Sequence, residues 1–198
     1  MGRILSRALE AAGLADFQTR VLSGSPLQED ELARLRAADL LLVAGLADNM
    51  RAYFRGDEVR VLAERSAREL GLIVFDQRAR EEGLTGAELL RELALLRLCT
   101  PPSQSIAVSM ESLGLELAQT ALLFGADSLV GDLRSERTLP LLDGPTSRRR
   151  EVEGLVARSG RRARFSDGMA SEAAERGVGQ AACRASPKSR TRPVPVRA

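Results

Sequence analysis

The residues best placed to do chemistry lie in one short stretch. Ser109, Glu111 and Ser112 stand where an alternating run, Ser105-Ile106-Ala107-Val108-Ser109-Met110, gives way to a helical pattern. Hydroxyls and a carboxylate at the end of a strand suit ligand binding. In α/β folds ligands sit at that edge, and a helix N-terminus attracts anions. Asp127 and Asp132 flank the next strand, Ser128-Leu129-Val130, and complete a candidate ligand edge. Without a titrating partner, two such carboxylates support acid–base catalysis only weakly. The plain structural alternative for Ser112 is that it caps the helix.

Several chemistries are excluded by residue type. The chain has no histidine, so the commonest general base, metal ligand and partner of a nucleophilic serine are missing. Its two cysteines, Cys99 and Cys183, make neither a CxxC pair nor a zinc set. No glycine spacing matches a phosphate-binding loop. No catalytic residue, metal ligand or cofactor is therefore assigned. No apolar run reaches the length of a membrane span, and no signal peptide opens the chain, so a cytoplasmic protein is expected.

The elements that must position these residues run from Leu84 to Leu133 as helix, strand, helix, strand. Thr85 and Glu88 form a capping box ahead of Leu89, Leu90, Leu93, Leu96 and Leu98, and Pro101-Pro102 ends that helix. The second helix has Leu113, Leu117, Ala121 and Phe124 on the side expected to face a sheet, and Gly125 closes it. A helix between two strands makes a βαβ unit with parallel strands. Upstream, Arg3 to Ala12 forms a short helix. Ser25-Pro26 starts another, with Ser25 as its cap. Asp39 caps a third that carries Leu42, Leu46, Met50 and Phe54. Val59 to Leu62 and Leu72 to Phe75 read as strands, and Ser147 to Ser159 as a helix.

Charge divides the chain. From Thr146 to Ala198 there are 13 basic and 5 acidic residues, hence +8, against +2 for the whole chain, so the preceding part carries −6. Arg148-Arg149-Arg150 and Arg161-Arg162-Ala163-Arg164 could meet phosphates, but only Phe165 is interleaved, which argues against a nucleic-acid partner. From Gly168 the composition turns to Ser, Gly, Ala, Arg and Pro, and a disordered basic tail is expected.

Two segments resemble one family. Within residues 7–62, Leu41, Leu42, Gly45, Leu46, Ala47, Asp48, Arg51, Gly56 and Val59 fall on an "LL.LG.LAD.(I/V)R" helix followed by "G..V.Y". Within residues 84–167, LTGAELLRELALLRL is similar to "TG.EDLR.IA.ARL", LGLELAQTALLFGADSLVGDL to "LG.ELAQ.AL.FGADDLDGT", and SRRREVEGLVARSGRRARFSDG to "(S/T)R.E...LI..AGR.P..RD". These patterns belong to the radical S-adenosylmethionine family of aminofutalosine synthase, dehypoxanthine futalosine cyclase and deazaflavin-cofactor synthase. The resemblance implies a (β/α) barrel, a [4Fe–4S] cluster with S-adenosylmethionine, and the futalosine route to menaquinone. The cluster's CxxxCxxC motif is absent. Where it would follow the lead-in, residues 63–83 hold no cysteine. The "DDLDGT" pattern is also changed, with Ser128 and Val130 in place of acids.

The expectation is an α/β protein: a helical lead-in over residues 1–62, a partial βα barrel-like remnant over 63–167, and the disordered tail over 168–198. The resemblance implies a truncated, non-catalytic relative that needs no cofactor. Two alternatives stand beside it. One is an enzyme binding a nucleoside-like small molecule at the 109–114 strand–helix edge. The other is a helix-mediated interaction module pairing with itself or with a barrel partner, since an incomplete barrel exposes strand edges.

Overall fold

The computed structural model describes residues 2–25, 27–76, 83–131 and 148–166. The expected tail over 168–198, Cys183, Asp132 and most of the loop after the fourth strand lie outside them. The elements are α1 (Gly2–Ala11), α2 (Ala15–Leu22), α3 (Glu29–Ala37), α4 (Leu40–Arg55), β1 (Glu58–Leu62), α5 (Glu64–Glu69), β2 (Ile73–Phe75), α6 (Gly86–Cys99), β3 (Ile106–Ser109), α7 (Met110–Leu113), α8 (Leu115–Leu122), β4 (Ser128–Val130), α9 (Arg148–Arg158) and β5 (Arg162–Ser166). The strands form a parallel five-stranded sheet in the order β2-β3-β4-β1-β5.

Strand alternation sorts the side chains onto two faces. Phe75, Val108, Leu129, Val61 and Phe165 stand in register across all five strands on one face. They join the main core with the apolar stripes of α1, α2, α4, α6, α8 and α9. The other face carries a small cluster, Leu62, Ala107 and Val130, with Ala67 of α5 packed on it. Handedness accounts for this division. The links β2→β3, β3→β4 and β4→β5 all move the same way along the sheet, and their helices share a face. The link β1→β2 moves the opposite way, so a right-handed crossover puts α5 on the other side.

The lead-in is part of the same core. β1, which ends at the expected 62/63 boundary, is an inner strand, and Val43, Leu46, Ala47 and Met50 of α4 are buried with Leu93 and Ala94 of α6. Asp39 caps α4 by accepting from the Leu41 N–H at 2.8 Å, and the Thr85–Glu88 box starts α6, both as expected. The cap of α3 is Gln28 rather than Ser25. The Gln28 N–H donates to Glu31 at 2.7 Å, and Glu31 also binds Arg20 at 2.6 Å, an anchor that Ser25 lacks. β5 was not expected, since its Arg162-Ala163-Arg164-Phe165-Ser166 alternation is masked by its charge.

Of the face expected for the second helix, Leu113, Ala121 and Phe124 are buried, and the register departs from expectation at Leu117. α8 buries Ala118, Ala121 and Leu122, while Leu117 is half-buried and lies over Gly86 of α6. Gly114, at φ +78°, breaks the expected single helix into α7 and α8 and resets its phase. On α4, Phe54 emerges to solvent. Leu122→Ala is expected to cost about 2–5 kcal/mol in urea denaturation, and Leu117→Ala distinctly less. Equal costs would contradict this register.

The α6 cap supplies a pH test. The Thr85 hydroxyl, and then its backbone N–H, hold the Glu88 carboxyl below its ordinary 4.5. A carboxylate held low stabilises fully above its ordinary pKa, and that contribution is lost as pH falls through the lower folded value. Thr85→Ala is expected to raise the Glu88 midpoint toward 4.5 in an NMR titration; an unmoved midpoint would mean the box does not form.

Candidate functional site

A residue that ends a parallel strand and one that precedes the next strand lie at opposite edges of the sheet. The structure accordingly divides the candidate ligand edge. Ser109, Glu111 and Ser112 stand at the carboxyl edge, and Asp127, immediately before β4, stands at the amino edge. Ser109 is level with Val130, three residues beyond Asp127, a separation of about 10 Å along the strand. Asp132 lies outside the described residues.

At the carboxyl edge Ser109, not Ser112, is the cap. The Ser112 N–H donates to Ser109 Oγ and the Ser112 hydroxyl to the Ser109 carbonyl, both at 3.4 Å. Both serines are buried and Glu111 is exposed. Beside them Val130 is in register with Ser109 on one side and Leu62 on the other, and the Gly131 N–H donates to the Leu62 carbonyl at 3.2 Å. A side chain at Gly131 would come within 3.0 Å of Met110 Cε. After β1 the chain turns to α5 on one face; α9, which follows β4, packs on the other. The crevice between β1 and β4 is therefore a topological switch point, where open α/β sheets bind ligands.

The amino edge is densely charged. Arg97, in the last turn of α6, is 1% exposed. It donates to the carbonyls of Gly125 (2.9 Å) and Gln104 (3.0 Å) and to Asp127 Oδ2 (2.8 Å). Asp127 also accepts from the Ile106 N–H at 3.3 Å and the Ser128 hydroxyl at 2.8 Å. Gly125 makes the approach possible: its φ is +97°, and a Cβ there would lie 2.7 Å from Arg97 Cγ. Arg161 reaches back to the Ala126 carbonyl at 3.1 Å and to Asp48 of α4. Asp48 also holds Arg51 at 2.8 Å, and Arg51 donates to the Gly56 carbonyl.

Burial pushes the Arg97 guanidinium down from its ordinary pKa, with the Asp127 charge opposing. Burial likewise pushes Arg161 down to about 10, opposed by Asp48. Both stay cationic at neutral pH.

A cavity of about 220 Å³ opens at this edge, lined by Arg55, Glu58, Arg60, Ser105 and Asp127. Arg60 donates to the Ser105 hydroxyl at 2.5 Å, and Arg55 donates to the Ser103 carbonyl. Of these residues sequence reasoning singled out Asp127 alone, although a signal for the arginines existed. Arg60 interrupts Val59-Arg60-Val61-Leu62, and Arg97 interrupts Leu95-Leu96-Arg97-Leu98, so each puts a cation into an apolar run. The basic segment 148–164 is partly used within the fold, since Arg161 is buried and Arg149 stacks over the Phe165 ring at 4.3 Å.

Among the described residues no group of three or more Cys, Asp or Glu side chains could hold a metal ion, and no helix is long and apolar enough to cross a membrane. Comparison with protein-family models, with curated proteins and with solved structures finds no match to this chain.

Arg97→Met strands a buried carboxylate and is expected to cost about 3–5 kcal/mol. Adding Asp127→Asn should recover part of that loss, so the double variant should fall well short of the sum. Strict additivity in a denaturation cycle would show that the two side chains are not coupled.

Proposed function

We propose that this chain is a non-catalytic relative of the radical S-adenosylmethionine enzymes of the futalosine menaquinone route, nearest in motif to aminofutalosine synthase, with a role in or derived from that pathway. One observation carries the reading. The separate segments that bear the resemblance meet in one network: Asp48 and Arg51, Arg97, Gly125-Ala126-Asp127, and Arg161. All lie at the amino edge of the sheet. In (β/α) barrels that end supports stability, while chemistry sits at the opposite end. The retained motif residues are thus scaffold residues. The sheet itself is open, with β1 between β4 and β5 and α5 on the opposite face from the other helices, so the reading rests on the motif residues and not on strand order.

The family's cluster does not fit this chain. It needs three close thiolates, whereas Cys99 and Cys183 are the only cysteines. Cys99 ends α6 at the surface, with no cysteine in residues 63–83. No step is assigned to the cluster. Anaerobic reconstitution is expected to leave well under one iron per chain and to yield no 5′-deoxyadenosine from S-adenosylmethionine under reducing conditions. About four irons, retained after Cys99→Ser and Cys183→Ser, would overturn the reading.

The switch point beside Ser109 favours a second reading, a nucleoside-like ligand at the 109–114 edge. Saturable adenosine binding that is weakened by Ser109→Ala would support it; no binding at millimolar adenosine would exclude it.

A further inference from the structure

We propose that the cavity at the amino edge is a binding site for a small oxyanion of the phosphate class, held by Arg55 and Arg60 with the Ser105 hydroxyl. The first observation is an unmet donor. Among the described residues Arg55 Nε is buried without a hydrogen-bond partner, and the carboxylate oxygen it pairs with, Asp127 Oδ2, is 3.8 Å away. A buried, unmet donor is costly, and a charged one more so.

The second observation is a charge excess. Both carboxylates lining the cavity are engaged from outside it: Asp127 by Arg97 at 2.8 Å, and Glu58 by Arg164 at 3.3 Å. Arg55 and Arg60 remain as cations facing the space. The third observation is register. Arg60 stands directly opposite Arg164 on the same face of neighbouring parallel strands. Glu58 offsets Arg164 on that face, which leaves Arg60 as the cation of this pair turned to the cavity.

Size and donor type set the ligand class. Guanidinium groups offer forked donors that match the oxygens of phosphate. At about 220 Å³ the cavity is smaller than the roughly 300–1,000 Å³ of pockets that enclose a drug-sized ligand. It suits a single phosphate group, either the free ion or the head of a small phosphomonoester whose remainder lies in solvent. Glu58 and Asp127 on the wall disfavour larger polyanions such as a triphosphate.

Calorimetric titration of the full chain with inorganic phosphate and with glycerol 1-phosphate, at constant ionic strength set by chloride, tests the proposal. Saturable binding is expected near about 1 mM or tighter for at least one of them. Whichever binds more tightly identifies the source. Arg55→Gln and Arg60→Gln should each weaken it about tenfold, equivalent to about 1.4 kcal/mol, while Arg65→Gln on the exposed side of α5 should leave it unchanged. If Arg55→Gln fails to fold, Arg60→Gln and Ser105→Ala decide the matter. Absence of saturation by about ten times that concentration, or affinity undiminished in Arg60→Gln, overturns the proposal.

Discussion

The structure depends on one buried contact, Arg97 with Asp127. Taking a guanidinium and a carboxylate out of water costs several kcal/mol per ion, and mutual attraction repays it only when the remaining donors and acceptors are also met. Here they are. Arg97 spends its other donors on the carbonyls of Gly125 and Gln104, which belong to the loops leading into β4 and β3. Asp127 spends its oxygens on the Ile106 N–H and the Ser128 hydroxyl. One side chain from α6 thereby fixes the starting points of two neighbouring strands. The register of β3 on β4, with Val108 beside Leu129, follows from where that contact places their first residues.

Gly125 shows how strictly the contact constrains the backbone. Its carbonyl must face Arg97 while its α-carbon lies against the same side chain and against Ala47. Only a residue without a Cβ, in a conformation at φ +97°, meets both demands. Arg161 repeats the device one residue later by binding the Ala126 carbonyl and Asp48. Strand ends, the lead-in helix α4 and the last strand are thus tied at one edge by arginines reaching for carbonyls. The lead-in is accordingly part of the sheet's core rather than an appendage.

Local signals were the legible part of the sequence. Asp39 and the Thr85–Glu88 box announced α4 and α6 because capping depends on residues within one turn. The alternation at 105–110 and the short runs at 59–62 and 128–130 announced strands because strand signals, too, lie within a few consecutive residues. Helix faces were less legible. Leu117 falls on an apolar series whose Leu113, Ala121 and Phe124 are buried, yet Gly114 interrupts the helix, and Ala118 and Leu122 turn inward while Leu117 is only half-buried. β5 was hidden because Arg162 and Arg164 occupy its open face, where a basic run and an alternating strand look alike. The candidate site was half legible. Ser109, Glu111 and Ser112 did prove to be neighbours at a switch point. Asp127 was grouped with them through sequence proximity, although a parallel sheet carries residues before a strand and residues after it to opposite edges.

That separation bears on what the fold can do. The carboxyl edge joins small side chains, Ser109, Ser112 and Gly131, in a crevice created by topology and shaped little by charge. The amino edge is built the other way, from arginines whose charges the fold needs for its own closure. Most are consumed there: Arg51 on Asp48 and the Gly56 carbonyl, Arg97 on Asp127, and Arg161 on Asp48 and Ala126. Arg55 and Arg60 differ because, among the described residues, each is tethered by a single hydrogen bond, to the Ser103 carbonyl and the Ser105 hydroxyl. A guanidinium carries five donors, so a single tether orients it without exhausting it. The neighbours that complete the scaffold therefore also hold these two in place, and cationic donors aimed at a cavity cost no further ordering when an anion arrives.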